Sequence, residues 1–398
     1  MKKTALIIIL IIMVQTLYAQ KVTLKEYSAI DKKALLLPDS LTKTTEDIAG
    51  YIRLNFKTDH EKSRAIFIWV ASNIQYDVDN MFAINFDEKT EEKISKPLKT
   101  RKGICENYAA LFNDICSKVG LKSYVVVGYT RMNGDVNTIP HAWCAALIDS
   151  SLYLFDPTWG SGYVNDSKFY RKINNDYFKV NSSSLINSHM PFDYLWQFVN
   201  YPVTNQEFYE GKTQQNKSKP FFNFADSLKV YESLSHFQQL EAAARRVEKN
   251  GVKNSMIFDM LKHIKIEIEN IKAVAEYEIQ SRNVNLYNLA VVDFNEGVNY
   301  YNDFIRYQNK QFTPLKSDQE IQSMIDSTDH KHKDAKVKLA GIEKPDANLA
   351  LMCLQINKSL DEASTQLQEQ KDWLQKYFAK GKLGRKSMFY EWSGKPWK

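Results

Sequence analysis

Cysteine is scarce in this chain: Cys105, Cys116, Cys144 and Cys353 are the only four in 398 residues, irregularly spaced and without a CxxC pair. That excludes a disulfide framework and argues against a structural zinc site, so each cysteine has to be read singly. Glycine (14) and proline (10) are few, while 44% apolar and 25% charged residues are ordinary globular values. Collagen-like, low-complexity and disordered architectures are excluded on that composition. Charge of neither sign dominates, and a net +6 is too small to indicate a nucleic-acid partner. There is no GxGxxG or Walker loop and no HExxH. His330 and His332 lie among Asp and Lys without a carboxylate-rich ligand set, so neither a metal nor a cofactor is expected.

Long apolar runs are also missing, apart from one at the start. Lys2 and Lys3 precede ten apolar residues from Ala5 to Val14, and small Ala19 follows. This is the pattern of a secretory signal peptide over residues 1–19, since ten residues span about 15 Å of helix against the ~30 Å of a bilayer core. The chain is therefore expected to be exported, to the periplasm or beyond the cell. Without Lys2 and Lys3 its charge falls to +4, and residues 376–398 carry seven basic residues against Glu391 alone. This basic tail is interleaved with Tyr377, Phe378, Phe389, Tyr390, Trp392 and Trp397. A charged tail is most often solvated; folding back onto the body or weak contact with an anionic envelope surface are the alternatives.

What is present divides the remainder in two. Residues 20–211 mix helical and strand patterns, residues 212–220 are a polar linker, and residues 221–398 read as a bundle of four or five helices with loop signals at Asn250-Gly251, Thr313-Pro314, Gly341 and Lys344-Pro345. In that bundle Leu351, Leu354, Ile356, Leu360, Ala363 and Leu367 are expected to face the core. In the first part, a helix over 63–74 precedes a charged stretch, 87–101, expected as a solvated loop. A second helix begins at Cys105 and ends at Gly120, with Tyr108, Leu111, Phe112, Ile115 and Val119 on its buried face. Strands follow over 123–129, 141–148 and 152–155. Helix packed on antiparallel sheet is an α+β arrangement.

The chemistry is expected where these elements meet. A cysteine attacks as thiolate, and a helix N-terminus sets unpaired N–H groups and partial positive charge beside the Cys105 sulfur. The same N–H groups can hold an oxyanion, and Gly103 lets backbone approach a substrate. His141 opens a strand on whose faces side chains alternate, so it shares a face with Trp143 and points away from Cys144. Asp156 ends the next strand; across a hairpin turning at 149–151 it falls opposite 143 or 144, near enough to orient the imidazole. Cys116 and Cys353 read as packing residues.

The blocks Gly103-Ile-Cys105, His141-Ala-Trp143 and Asp156-Pro-Thr-Trp159-Gly160, in this order and spacing, resemble the transglutaminase-like superfamily. Arg64, Trp69, Asn73 and Tyr76-Asp77 resemble the helix before the cysteine in kyphoscoliosis-peptidase-like members. His189-Met-Pro191, Trp196-Gln197 and Tyr201-Pro202 resemble secreted members from Bacteroidetes. The resemblance implies a papain-like core in which Cys105, His141 and Asp156 are nucleophile, base and orienting acid, with Trp69, Asn73 or Tyr76 as side-chain oxyanion donor and Trp143 and Trp159 beside the substrate. Cys144 stands where relatives usually carry Asn. The implied activity is thiol-dependent acyl transfer on peptide or glutamine carboxamide bonds, hydrolysis before cross-linking, with a peptide, protein or cell-wall peptide as substrate. The competing class is a non-catalytic peptide- or partner-binding module, against which an intact triad argues.

Overall fold

The structure is a computed structural model that describes residues 27–390; the signal-peptide segment and the tail beyond Tyr390 lie outside the described residues. After a helical segment over residues 27–34 come α1 (Thr45–Asn55) and α2 (Asp59–Asn73). Thr58 caps α2, its hydroxyl accepting from the Glu61 N–H while the Glu61 carboxylate accepts from the Thr58 N–H. Two-residue strands β1 (Gln75–Tyr76) and β2 (Lys102–Gly103) pair in parallel on either side of α3 (Thr90–Thr100), and α4 (Cys105–Lys118) follows at once.

The expected solvated loop is thus largely helix α3. Its stretch is charged because one side alone is covered: Pro97 and Leu98 are buried and the rest is half-buried or exposed. Pro97 offers no N–H to the Lys93 carbonyl four residues back, and the Asn107 amide of α4 donates to that carbonyl instead, at 3.0 Å.

A four-stranded antiparallel sheet of order β5-β4-β3-β8 packs on α4. It comprises β3 (Ser123–Met132), β4 (Asp135–Ile148), β5 (Ser151–Phe155) and β8 (His189–Pro191). The architecture is α+β. Asn133 and Gly134, both at positive φ, make a two-residue hairpin, so β4 starts at Asp135 and His141 lies inside the strand rather than opening it. Its faces alternate as expected: Ala142, Cys144, Ala146 and Ile148 join the core with α2 and α4, while Trp143 and Ala145 join a second core with Val126 and Leu154. A separate hairpin, β6 (Gly162–Asn165) and β7 (Lys168–Arg171), leaves the sheet after β5.

The division into two compact units falls between Ile268 and Glu269 rather than at 212–220. The polar segment 212–220 belongs to the first unit: Lys219 pairs with Glu207 at 2.6 Å. Helices α5 (Phe224–Ser233) and α6 (His236–Asn250) also pack there, through Leu228 beside Trp143 and through Ala244 and Val247 beside Phe192. The second unit is helical: the end of α7 (Ser255–Asn309), α8 (Asp318–Ala340) and α9 (Ala347–Phe378). All the predicted loop signals fall outside these helices. The buried stripe of α9 runs Leu349, Ile356, Leu360, Ala363, Leu367, Gln370, Leu374, which leaves Leu351 and Leu354 off-stripe and exposed. Part of the basic tail folds back on this unit, where Arg385 forks onto the Asp318 carboxylate at 2.7 Å and Met388 is buried with Phe312.

Candidate active site

Helix α4 starts at Cys105 because the chain leaves β2 there and its first turn is closed locally: Asn107 Oδ1 accepts from the Ile104 N–H at 2.9 Å. This contact explains Gly103. A Cβ at 103 would lie 2.7 Å from Asn107 Cβ, so the glycine makes room for the residue that starts the helix rather than for a substrate. The Asn107 and Tyr108 N–H groups of this turn donate to the Ile104 carbonyl, at 2.9 and 3.2 Å, so it is the N–H of Cys105 itself that opens the helix beside its own side chain. Cys105 and His141 are both buried, at 3% and 8% exposure.

Asp156 follows the last β4–β5 pair, Cys144 with Phe155, and so falls next to Trp143. Its Oδ2 accepts from His141 Nε2 at 2.8 Å. The carboxylate thus occupies Nε2 and not Nδ1, and the Cys105 thiol lies close enough to the ring to raise its basicity. Burial alone lowers the basicity of His141, but the Asp156 charge and hydrogen bond, then the thiol, outweigh it and hold the imidazole well above its ordinary value. For Asp156 burial favours the neutral acid, and the His141 charge and the two imidazole hydrogen bonds reverse that, holding the carboxyl well below the usual range.

The remaining predicted residues divide. Tyr76 is close enough that burial first, then the charges of Cys105, Tyr108 and Asp156, push its phenol upward. Trp143 stacks on His141 at 6.1 Å between centroids and Trp159 tilts against it at 5.6 Å. Trp69 is a core residue under the Arg101 guanidinium, and the Asn73 amide donates to the Trp69 carbonyl of its own helix. Asn73 is therefore engaged elsewhere. Cys144 donates to the Ala109 carbonyl on the opposite face of β4, and burial pushes its thiol up.

One site residue has no role in the sequence reading beyond its place in a block of resemblance. His189, buried in β8, donates from Nε2 to the same Asp156 Oδ2 at 3.0 Å. The signal available was a histidine in an otherwise apolar stretch, Met190-Pro-Phe192, where a buried imidazole needs a polar partner. His141, Asp156 and His189 are also the one group among the described residues with metal-ligand spacing, their ligand atoms lying within 4.8 Å. Both Nε2 atoms are engaged as donors, and a nitrogen that carries a proton has no lone pair for a cation.

Residues 43–186 match the family model described as a transglutaminase-like domain. Residues 43–186 are thus a transglutaminase-like domain. Kyphoscoliosis peptidase of Mus musculus and that of Homo sapiens are each 33% identical to it over 159 residues, which is 38% of this chain and 24% of theirs. Hillarin of Drosophila melanogaster is 25% identical over 206 residues, 46% of this chain and 24% of that protein. The chain thus spans about a quarter of the length of these curated relatives. Cys105, His141 and Asp156 all lie inside the matched transglutaminase-like domain; His189 lies three residues beyond it.

Proposed function

We infer that the protein is an exported thiol-dependent acyl-transfer enzyme acting on peptide or glutamine carboxamide bonds, by hydrolysis before cross-linking. The observation that carries this reading is the His141 imidazole held on the Asp156 carboxylate at 2.8 Å, with the Cys105 thiol close enough to raise its basicity, the parts of a relay from acid to thiol. An imidazole held protonated beside a thiol supports a thiolate–imidazolium pair. The thiolate would attack the carboxamide carbonyl, forming the S–C bond and placing charge on oxygen. The Cys105 backbone N–H and the Tyr76 phenol, which keeps its proton, would hold that oxyanion. His141 would pass its proton to the departing nitrogen as the C–N bond breaks. Water, deprotonated by His141, would then release the acid and restore the thiol. Hydrolysis is favoured by the name peptidase borne by two relatives, and export by the apolar segment of residues 5–14. No helix among the described residues is long and apolar enough to cross a membrane.

The test is mass spectrometry of peptides incubated with the purified chain and a primary amine. Hydrolysed or deamidated products made by wild type and lost in Cys105→Ala are expected. Amine-linked products in excess would move the reading to cross-linking. Wild type without product, together with no thiol-probe label at Cys105, would leave the non-catalytic binding module instead.

A further inference from the structure

His189 is the one group at this site that the relay does not use, yet it is as deeply placed as any. The Asp156 carboxylate makes four hydrogen bonds. Oδ1 accepts from the backbone N–H of Thr158 at 2.9 Å and of Trp159 at 3.1 Å, and Oδ2 accepts from His141 at 2.8 Å and His189 at 3.0 Å. A carboxylate offers about four lone-pair sites, so this one is saturated, and neither a proton nor a water has a place on it. Turning it about its own axis would break all four bonds.

We propose that His189 is a positioning residue that, from β8, locks the Asp156 carboxylate in the orientation that serves His141. The inference rests on the acyl-transfer reading for its consequence in catalysis, though not for its geometry. Because Oδ2 only accepts, His189 must carry its proton on Nε2; its Nδ1 then accepts from the Ser188 hydroxyl at 2.8 Å. The ring is walled by Trp159, Trp143 and Tyr177, with centroids 4.7, 5.1 and 6.0 Å away. Burial first, and the neighbouring His141 charge, hold His189 below the ordinary imidazole value against the pull of Asp156, so it stays neutral while His141 is charged. Two histidines on one carboxylate oxygen are thereby held in different states.

The backbone fixes this arrangement. Gly128 of β3 pairs with His141 on one side and with Pro191 on the other, and Thr130 pairs with His189. A Cβ at 128 would lie 2.1 Å from the Met190 carbonyl oxygen, so β8 is seated only because residue 128 is glycine. The other titratable groups facing the carboxylate are Tyr76 on β1, Tyr108 on α4, Cys144 on β4 and Tyr177. Burial pushes each of them up, so they hold their protons from pH 5 to 9 and leave the site's charge to His141, Asp156 and the nucleophile.

The test uses the full chain and needs no substrate. The rate of Cys105 alkylation by iodoacetamide is followed from pH 5 to 9 by peptide mass spectrometry in wild type, His189→Leu and His189→Gln, with melting curves as the check on folding. His189→Leu is expected to displace the profile upward by about one pH unit, roughly tenfold in rate at pH 6. His189→Gln, which keeps an N–H donor near the same place, should stay within about threefold of wild type. A folded His189→Leu whose profile superimposes on wild type would reduce His189 to packing, as would a Gln variant impaired as far as Leu. Should the Leu variant not fold, 15N resonances of the wild-type imidazoles at pH 7.5 decide: His189 should be the neutral tautomer with its proton on Nε2, and a neutral His189 with its proton on Nδ1 overturns the proposal. A wild type whose Cys105 is no more reactive at pH 6 than an ordinary thiol would count against the acyl-transfer reading and leave the His189 resonances to be judged separately.

Discussion

Each unit of this protein buries histidine, and the two treat it in opposite ways. In the first, His141 and His189 converge on Asp156, whose two oxygens accept four hydrogen bonds. In the second, His332 is 3% exposed and neither ring nitrogen has a hydrogen-bond partner among the described residues; both Gln308 amide atoms and the Gln370 carbonyl oxygen share that state. Buried polar groups are costly unless paired, so a fully paired cluster marks a place where the fold has been organised around charge. An unpaired imidazole in a helical core marks packing that tolerates a polar atom. The difference separates residues held by hydrogen bonds from residues held by shape, although both are equally buried.

The sharpest way to break the comparison is at the carboxylate. Asp156→Asn keeps the volume, but its amide must present an N–H₂ to one pair of donors and holds no charge beside His141. Hydrolytic rate is expected to fall by about 10⁴-fold, as when the orienting acid of a triad is neutralised. A fall under about tenfold, measured on peptide turnover with folding checked by circular dichroism, would show that the cluster is structural like its counterpart in the helical unit. Tyr76→Phe comes next. It leaves the packing and removes the phenol proposed to hold the oxyanion, for which a loss of about 10²-fold in kcat is expected with KM little changed.

How far this was legible in the sequence depended on the range of the contact. The β3-β4-β5 meander has a period of two and short turns, so the faces of β4 and the landing of Asp156 beside residue 143 follow from counting. His189 lies 33 residues from Asp156 on a three-residue strand, and no periodicity reports such a pairing. Helix α3 was illegible because charge and Pro97 argue for loop, while the group that rescues it, Asn107, sits on another helix. The unit boundary was hidden because amphipathic spacing in α5 and α6 says that one face is buried but not against which core.

Glycine offers a smaller test of the same contrast. At Gly128 the atoms a Cβ would meet include the Met190 carbonyl oxygen at 2.1 Å and Pro191 Cα at 2.7 Å, both backbone. At Gly297 the nearest is Cδ2 of the His332 ring at 2.5 Å, which can swing away. Gly128→Ala should therefore cost about 3 kcal/mol, and Gly297→Ala about 1 kcal/mol or less, in chemical denaturation. Equal costs would mean that the unpaired histidine is as firmly held as the paired ones.

The smallest expected effect concerns acid. Burial lowers the pKa of His332 from the ordinary 6.5, against the pull of Asp329 and aided by Lys336. A group whose pKa is depressed by folding binds its proton more readily in the unfolded chain. Its contribution is therefore intact above pH 6.5 and is lost as pH falls from 6.5 through the folded value, at no more than about 1.4 kcal/mol per pH unit. Asp293, in the same unit, has burial acting to raise it, but its hydrogen bonds to Lys338 and Lys331 hold it below 3.8, so its own loss begins only in stronger acid. Glu320 and Asp329, held below 4.5 and 3.8, also act only in stronger acid, so near pH 6 the depressed group of the helical unit is His332. His332→Phe should gain stability over wild type on going from pH 7.5 to pH 5, read as a widening gap in denaturation midpoint. A gap that stays constant with pH would mean that the ring is already partnered, and the contrast between the two units would close.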